Sequence, residues 1–442
     1  MKHKQIPLKE KVSYGSGDVA TCITFGVTNA YLSYYYTDIA GISLASVGII
    51  LAIARFLEAG TNICTGIAID RCTFRLGKIK PFLYATTLPM MLMFFLLFTI
   101  PDISPQGKTI FALVSYLLFC LFYAINNTSY STLLSMMTNH AKERKITNNY
   151  RMMGCGIGSV IASFCTLPLV SFIGSDDHLQ YASTALLYAV IGLILLGSCS
   201  IICKERVKLQ QEKISFHEGI RCAVKSPSWI LLCFISLFSY IAMVLRSQSM
   251  MYYAKYCLSQ ESVASILLTM STASMLITSP FIAKVITKLG SKKSMFFGFG
   301  GYVIFTYGMY LAGNNIPLLI TCTFLSSICT NFASSPMYAF CSDTMDEVEY
   351  KTGVRPQGVM TSVMMCFTKI GVALAGIIFS QVLRMGGYVA DTPQTPAAIC
   401  AIQWNLFWLP IISTILCMLL ALFYHLDKHH KQIAEALEAR KL

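Results

Sequence analysis

The chain has 442 residues; 55% are apolar, 12% are charged, mean hydropathy is +0.60, and the formal net charge is +13. An ordinary soluble domain is about 25% charged, so this chain lacks the polar groups to cover a water-facing surface. Disordered, coiled-coil and disulfide-scaffold readings are excluded, and an all-α integral membrane protein is left.

Apolar stretches of about 20 residues, long enough to cross a bilayer, are read twelve times: 14–37, 43–69, 81–100, 109–137, 152–173, 181–203, 229–254, 262–287, 294–312, 316–342, 357–383 and 401–425. These are far longer than the ~10-residue alternating strands of an outer-membrane barrel. The fourth, tenth and eleventh carry enough Ser, Thr, Asn and Gly to predict a solvated interior. The basic stretch Met1–Val12 runs into a full span without a small-residue cleavage site, so no signal peptide is read.

Of the 34 Lys and Arg, 28 fall in one alternate set of loops and tails, and the opposite loops hold Lys108, Lys255 and Arg384. By the positive-inside rule the richer side is cytoplasmic, with both termini on it. The expected organisation is a six-helix half over 1–203, a basic cytoplasmic linker over 204–228, a second six-helix half over 229–425, and a tail over 426–442. From Asp427 the tail reads as a short amphipathic helix. The basic residues mark topology, and no nucleic-acid partner is expected.

The 17 cysteines form no C-x-x-C pair and behave as small hydrophobes in apolar helices. The histidines, at 3, 140, 178, 217, 425, 429 and 430, sit in loops, tails or span ends. Neither a metal site nor an organic cofactor is expected, and without acids, bases and nucleophiles converging at one depth the chain is not read as an enzyme.

The loop after span 2, Asp70-Arg71-Cys72-Thr73-Phe74-Arg75-Leu76-Gly77-Lys78, has a counterpart after span 8, Lys288-Leu289-Gly290-Ser291-Lys292-Lys293. A basic residue, Leu and Gly precede further lysines at the same point of a six-span unit. Two such units about a basic linker resemble the parallel-repeat layout of major-facilitator transporters.

Three cations, Arg55, Arg246 and Lys369, lie within predicted spans, with Asp18 and Glu58 at comparable depth. A mid-span charge costs at least about 2.5–3.5 kcal/mol, so it is expected to face a cavity, be paired and serve function. Arg55, Glu58 and Asn62 are spaced three and four apart on one helical stripe. Glu58 either titrates or binds a cation with Arg55 holding it, or the two merely neutralise each other. Asp18 follows Gly15-Ser16-Gly17, where a helix or ligand can approach the backbone. Lys369 is too deep to snorkel easily, whereas Arg246 either snorkels outward or reaches the cavity. If the five groups share a cavity, their one net positive charge favours an anionic solute.

Gly15-Ser16-Gly17-Asp18, Tyr35-Tyr36-Thr37-Asp38, Ala54-Arg55-Phe56-Leu57-Glu58-Ala59, Asp70-Arg71 with Arg75-Leu76-Gly77-Lys78, Asp343-Thr344 and Glu349-Tyr350-Lys351-Thr352-Gly353-Val354-Arg355 carry a resemblance over the whole chain. The sequence resembles the glycoside–pentoside–hexuronide:cation symporters, the melibiose-permease type of the major facilitator superfamily. Around Gly387-Tyr388 and Pro393-Gln394-Thr395-Pro396 it is most similar to the glucuronide-permease branch. The resemblance implies that Asp18, Asn127, Arg151 and Lys369 contact the sugar. It also implies that Arg55, Glu58 and Asn62 couple a cation, and that Asp70, Arg71, Arg75, Gly77 and Lys78 form a conformational loop.

The sequence departs from the family at Asn62, where a second carboxylate is usual, and at Ala124, Asn127 and Ser131 in span 4. A hard cation wants several oxygen ligands, so a proton on Glu58 is favoured over sodium, and melibiose itself is disfavoured. The expected function is proton-coupled (alternatively sodium-coupled) uptake of a glycoside or hexuronide across the cell membrane by alternating access. An uncoupled facilitator or a carrier of a non-sugar solute such as a lysolipid is the alternative. A non-transporting membrane sensor is more remote. The expected partners are a small sugar or glycoside and the lipid bilayer.

Overall fold

The computed structural model describes residues 6–71, 77–138, 141–172, 177–206, 216–353 and 356–424. The tail predicted from Asp427 onward and the loop residue Arg75 lie outside them. Every described element is helical. In chain order the helices are α1 (Leu8–Tyr34), α2 (Leu44–Arg71), α3 (Lys80–Leu97) and α4 (Pro105–Met137); then α5, which runs Ala141–Val160, a π-helical turn Ile161–Cys165 and Thr166–Phe172; and α6 (Asp177–Ile202). A short amphipathic α7 (Phe216–Ala223) precedes α8 (Pro227–Tyr256), α9 (Ser262–Leu289), α10 (Ser291–Ala312), α11 (Ile316–Thr352) and α12 (Gln357–Met385). The final α13 runs Pro396–Gln403, a π-helical turn Trp404–Trp408 and Leu409–Leu422.

Local chemistry sets several boundaries. Ser104, Ser226, Asn315 and Thr395 each accept a hydrogen bond from the backbone N–H three residues on, and a proline stands in the first turn behind each. Such caps satisfy otherwise orphaned donors, and proline sacrifices an N–H that has no helical partner there. At its other end α11 stops at Gly353, whose φ of +72° suits a left-handed cap and whose N–H bonds the Glu349 carbonyl at 2.8 Å. The 37 residues of α11 span about 55 Å, well beyond a bilayer core of about 30 Å. The predicted span at 316–342 therefore recorded only the apolar part of a longer rod.

Ten of the described helices are long and apolar enough to cross a membrane. Two of the twelve predicted spans are not among them: α1, whose apolar run is interrupted by Thr, Ser, Gly and charge, and the helix from Ser262, whose described apolar part ends at Met275.

The helices before the linker pack on one another: α1 on α5 and α6, α4 on α2 and α3, and α3 on α6. Those after it do likewise: α11 on α9 and α10, and α8 on α12 and α13. Glycine permits the tightest crossings. A Cβ on Gly154 of α5 would stand 2.0 Å from the Gly15 carbonyl oxygen of α1, and one on Gly371 of α12 would stand 2.5 Å from the Leu237 carbonyl oxygen of α8. The two sets meet where α2 lies along α12, α1 along α8 and α5 along α9.

Candidate functional site: a buried charge cluster where the two helix sets meet

Arg55, Glu58 and Asn62 follow one another at spacings of three and four within α2. Arg55 Nη1 donates to Glu58 Oε2 at 2.8 Å, and its Nη2 donates to Asn29 Oδ1 of α1 at 2.9 Å. The guanidinium lies 5.7 Å from the Phe25 ring centre and 5.9 Å from that of Tyr116, within range of a cation–π attraction. The other carboxylate oxygen of Glu58 accepts a hydrogen bond from Lys369 Nζ, which arrives from α12 in the opposite helix set. Glu58 is 1% exposed and Arg55 5%. The triad holds one carboxylate between two cations, so one positive charge is left over. Asn62 is one turn further along α2, and its Oδ1 accepts from Thr128 Oγ1 of α4 at 2.9 Å.

A second ion pair lies between α1 and α5. Arg151 Nε reaches the buried Asp18 carboxylate at 3.4 Å. The Arg151 guanidinium stands 5.5 Å from the Tyr130 ring centre, and Tyr130 stacks on Tyr14 with centroids 4.7 Å apart. The Tyr130 hydroxyl donates to the Tyr14 carbonyl. Asn127 is half-buried on α4, while its neighbour Asn126 is buried and donates to Thr86 and Thr87 of α3 at 3.0 and 3.1 Å.

Arg246 neither snorkels nor joins the triad. It is 6% exposed, its Nη2 donates to the Thr323 carbonyl at 3.1 Å and to Ser327 Oγ at 3.2 Å, and its guanidinium lies 5.5 Å from the Tyr302 ring centre. These partners all belong to the second helix set, and their carbonyl and hydroxyl dipoles hold the cation in place of water. Sequence could not foresee this, because Thr323, Ser327 and Tyr302 read individually as ordinary span residues.

In the predicted conformational loop, the backbone N–H groups of Lys78, Ile79 and Lys80 all donate to the Glu205 carboxylate, at 2.8 to 2.9 Å. A carboxylate at the start of α3 satisfies unpaired donors and the positive end of the helix dipole. Gly77 has φ +118° and its repeat counterpart Gly290 has φ +82°, so both need the freedom of glycine. The side chains of Asp70 and Arg71, like Arg75, lie outside what the structure describes.

Sequence reading left unassigned a contact at the end of the molecule marked by the Tyr35–Ile39 turn. The Asp38 side chain, from the first helix set, is enclosed there, mostly by groups of the second. Tyr388 donates to its two oxygens at 2.9 and 2.8 Å, Tyr256 donates to Oδ1, and Lys255 Nζ stands 3.4 Å away. Thr37 adds a hydrogen bond at 2.6 Å to Asp38 and one at 2.9 Å to Tyr252. Asp38 and Tyr388 carried the resemblance, but their pairing, 350 residues apart, leaves no local signal. Asn29 was also missed; its only sequence mark is an amide in the middle of a span.

Ten helices long and apolar enough to cross a membrane, in two sets joined by buried charges, are the architecture of a multi-pass membrane protein. The chain belongs to the MFS/sugar transport protein family, whose model matches residues 13–428. It is 30% identical to the isoprimeverose transporter of Lactiplantibacillus pentosus over 99% of this chain and 93% of that protein. It is 26% identical to the glucuronide carrier protein homolog of Escherichia coli (strain K12), over 99% and 97%. Among solved structures, a proton-dependent oligopeptide transporter superposes with a TM-score of 0.71 at 12% identity, covering 96% of this chain and 99% of that one, which shows a shared fold.

Proposed function

We propose that the protein is a cation-coupled symporter of a glycoside or hexuronide, with a proton on Glu58 as the coupling ion, working by alternating access between its two helix sets. The observation that carries this reading is Glu58 itself: a buried carboxylate bonded by Arg55 of its own helix and by Lys369 of the opposite set. Protonating Glu58 removes the charge that holds Lys369, so proton binding and the contact between the sets are linked. Asn62 already accepts from Thr128, which leaves Glu58 without the second carboxylate a sodium site would use.

Asp18, Asn127, Arg151 and Lys369 are the groups assigned to solute, and Tyr130, stacked on Tyr14 and beneath the Arg151 guanidinium, holds Arg151 in place. Charged and amide groups discriminate between sugars because a missing hydroxyl leaves a buried partner unpaired. The residual positive charge of the triad suits a solute carrying a carboxylate, in keeping with the glucuronide carrier homolog among its relatives. One proton accompanying a monoanion would be electroneutral and draw on the pH gradient alone. With a neutral glycoside, each inward charge would gain about 2.3 kcal/mol per 100 mV.

The test is uptake into proteoliposomes of a labelled aryl-glucuronide and a neutral aryl-galactoside, under a pH gradient, a sodium gradient or neither, with Glu58→Gln in parallel. Accumulation driven by the pH gradient and reduced to equilibration in Glu58→Gln is the expected result. Accumulation driven by sodium alone overturns the proton assignment. Simple equilibration by the wild type supports the second reading, an uncoupled facilitator, which the amide at position 62 favours.

A further inference from the structure

We propose that Cys22, Cys155 and Asp18 form a binding site for a soft divalent cation such as Zn2+ or Cd2+, placed so that its occupancy engages the carboxylate otherwise paired with Arg151. Cys22 lies one turn beyond Asp18 on α1, and Cys155 lies one turn beyond Arg151 on α5, so the thiol pair sits directly above the ion pair. The two sulfurs are 3.1 Å apart, and the ligand atoms of Cys22, Cys155 and Asp18 all lie within 4.8 Å of one another. Both cysteines are half-buried rather than sealed in the core.

Glycine fixes this approach. A Cβ on Gly158 would stand 2.4 Å from the Val19 carbonyl oxygen and 3.0 Å from Cys22 Cβ, and one on Gly154 would overlap the Gly15 carbonyl. The helices are thus held together where the ligands converge, and the site is organised before any ion arrives. Metal–thiolate bonds of about 2.3 Å in a tetrahedron set the sulfurs about 3.8 Å apart, which a small χ1 rotation of either cysteine supplies.

The charges close as well. Two thiolates and a carboxylate around a divalent ion carry one net negative charge, which the adjacent Arg151 neutralises. A neutral ensemble is the arrangement a membrane interior tolerates. On binding, two metal–sulfur bonds form, the two thiol protons leave to solvent, and no oxidation is involved. Thiolate ligands select zinc-like ions over sodium or magnesium. Three protein ligands leave a fourth position for water. The effect on transport rests on the reading of Asp18 as a solute contact; the binding does not.

The full-length protein in detergent, kept reduced, is titrated with Cd2+ while the ultraviolet thiolate-to-cadmium charge-transfer band is followed. The band should saturate at a site that Cys22→Ser or Cys155→Ser weakens by at least about tenfold, and that Cys64→Ser, at an exposed cysteine elsewhere, leaves unchanged. Cys22→Ala and Cys155→Ala serve if a serine variant melts early. A titration identical in wild type and both variants, or no band at all, overturns the proposal. In proteoliposomes, Zn2+ should inhibit wild-type uptake and spare the double variant. A band removed by the substitutions without any inhibition keeps the metal site and overturns its link to the solute.

Discussion

The Glu58–Lys369 contact predicts a measurable coupling between the two helix sets. At 2.8 Å and an effective dielectric constant of about 20, the Arg55–Glu58 attraction alone is about 6 kcal/mol gross, most of it offset by desolvation. Removing the carboxylate is worse than removing the pair, because Arg55 and Lys369 are then left facing each other without water. Glu58→Gln should therefore cost about 3–5 kcal/mol. Lys369→Met leaves Glu58 bonded to Arg55 and should cost about 1.5–3 kcal/mol, the value of a hydrogen bond to a charged group. The double variant Glu58→Gln/Lys369→Met relieves the repulsion and should fall short of additivity by about 2 kcal/mol, inside the range for residues in one ionic network. That coupling corresponds to roughly thirtyfold in the equilibrium it acts on. Unfolding of all four proteins by sodium dodecyl sulfate titration from mixed micelles reads the cycle directly. Additivity to within about 0.5 kcal/mol would refute the claim that these charges bind the two sets together.

Four further outcomes are expected. Gly154→Val should destabilise by at least about 1–3 kcal/mol, because its Cβ would fall 2.0 Å from the Gly15 carbonyl oxygen, whereas Gly60→Ala, with open space at its Cβ position, should melt close to wild type. Asp38→Asn removes the charge that Tyr388, Tyr256 and Lys255 converge on, so interspin distances between labels flanking Asp38 and Tyr388 should lengthen in double electron–electron resonance. Glu10 stands in the first turn of α1, ahead of the predicted span; burial raises its pKa, but hydrogen bonds and charge from Arg206 outweigh burial and hold it below the ordinary carboxyl value. That stability is present above the ordinary carboxyl pKa and lost as pH falls through the lowered one, so melting curves of wild type and Glu10→Gln should converge on the acid side. Arg246→Met should lower stability by about 1–3 kcal/mol by removing the charge-assisted hydrogen bonds to the Thr323 carbonyl and Ser327 Oγ, with the apparent affinity for solute unchanged.

Much of the fold was legible because a bilayer imposes a strict rule: each crossing must be a helix about 20 apolar residues long. Composition and hydropathy fixed the class and most helix positions, and the mid-span charges pointed to Arg55, Glu58 and Lys369 because charge at that depth is costly. The stripe Arg55–Glu58–Asn62 followed from helical spacing alone. Helix ends were harder to read. The polar turns that extend α5 back to Ala141 and α11 on to Thr352 lie beyond the apolar stretches, and α11 stops only at its left-handed Gly353 cap. The twelve-span count met the same limit in α1, whose hydroxyls, glycines and charges dilute an otherwise membrane-length helix.

Partner choice belonged to the tertiary structure. Sequence marked Lys369 and Glu58 as costly but left them unpaired, since they are 311 residues apart and only the packing of α2 along α12 joins them. It left Arg246 between snorkelling outward and reaching the cavity; the packed helices bury it against a carbonyl, a hydroxyl and an aromatic ring of its own bundle. The enclosure of Asp38 and the meeting of Cys22 with Cys155 likewise rest on helix crossings set by glycines and side-chain fit. Hydropathy reports how deep a residue lies in the membrane; only the packed helices decide which other residue it meets there.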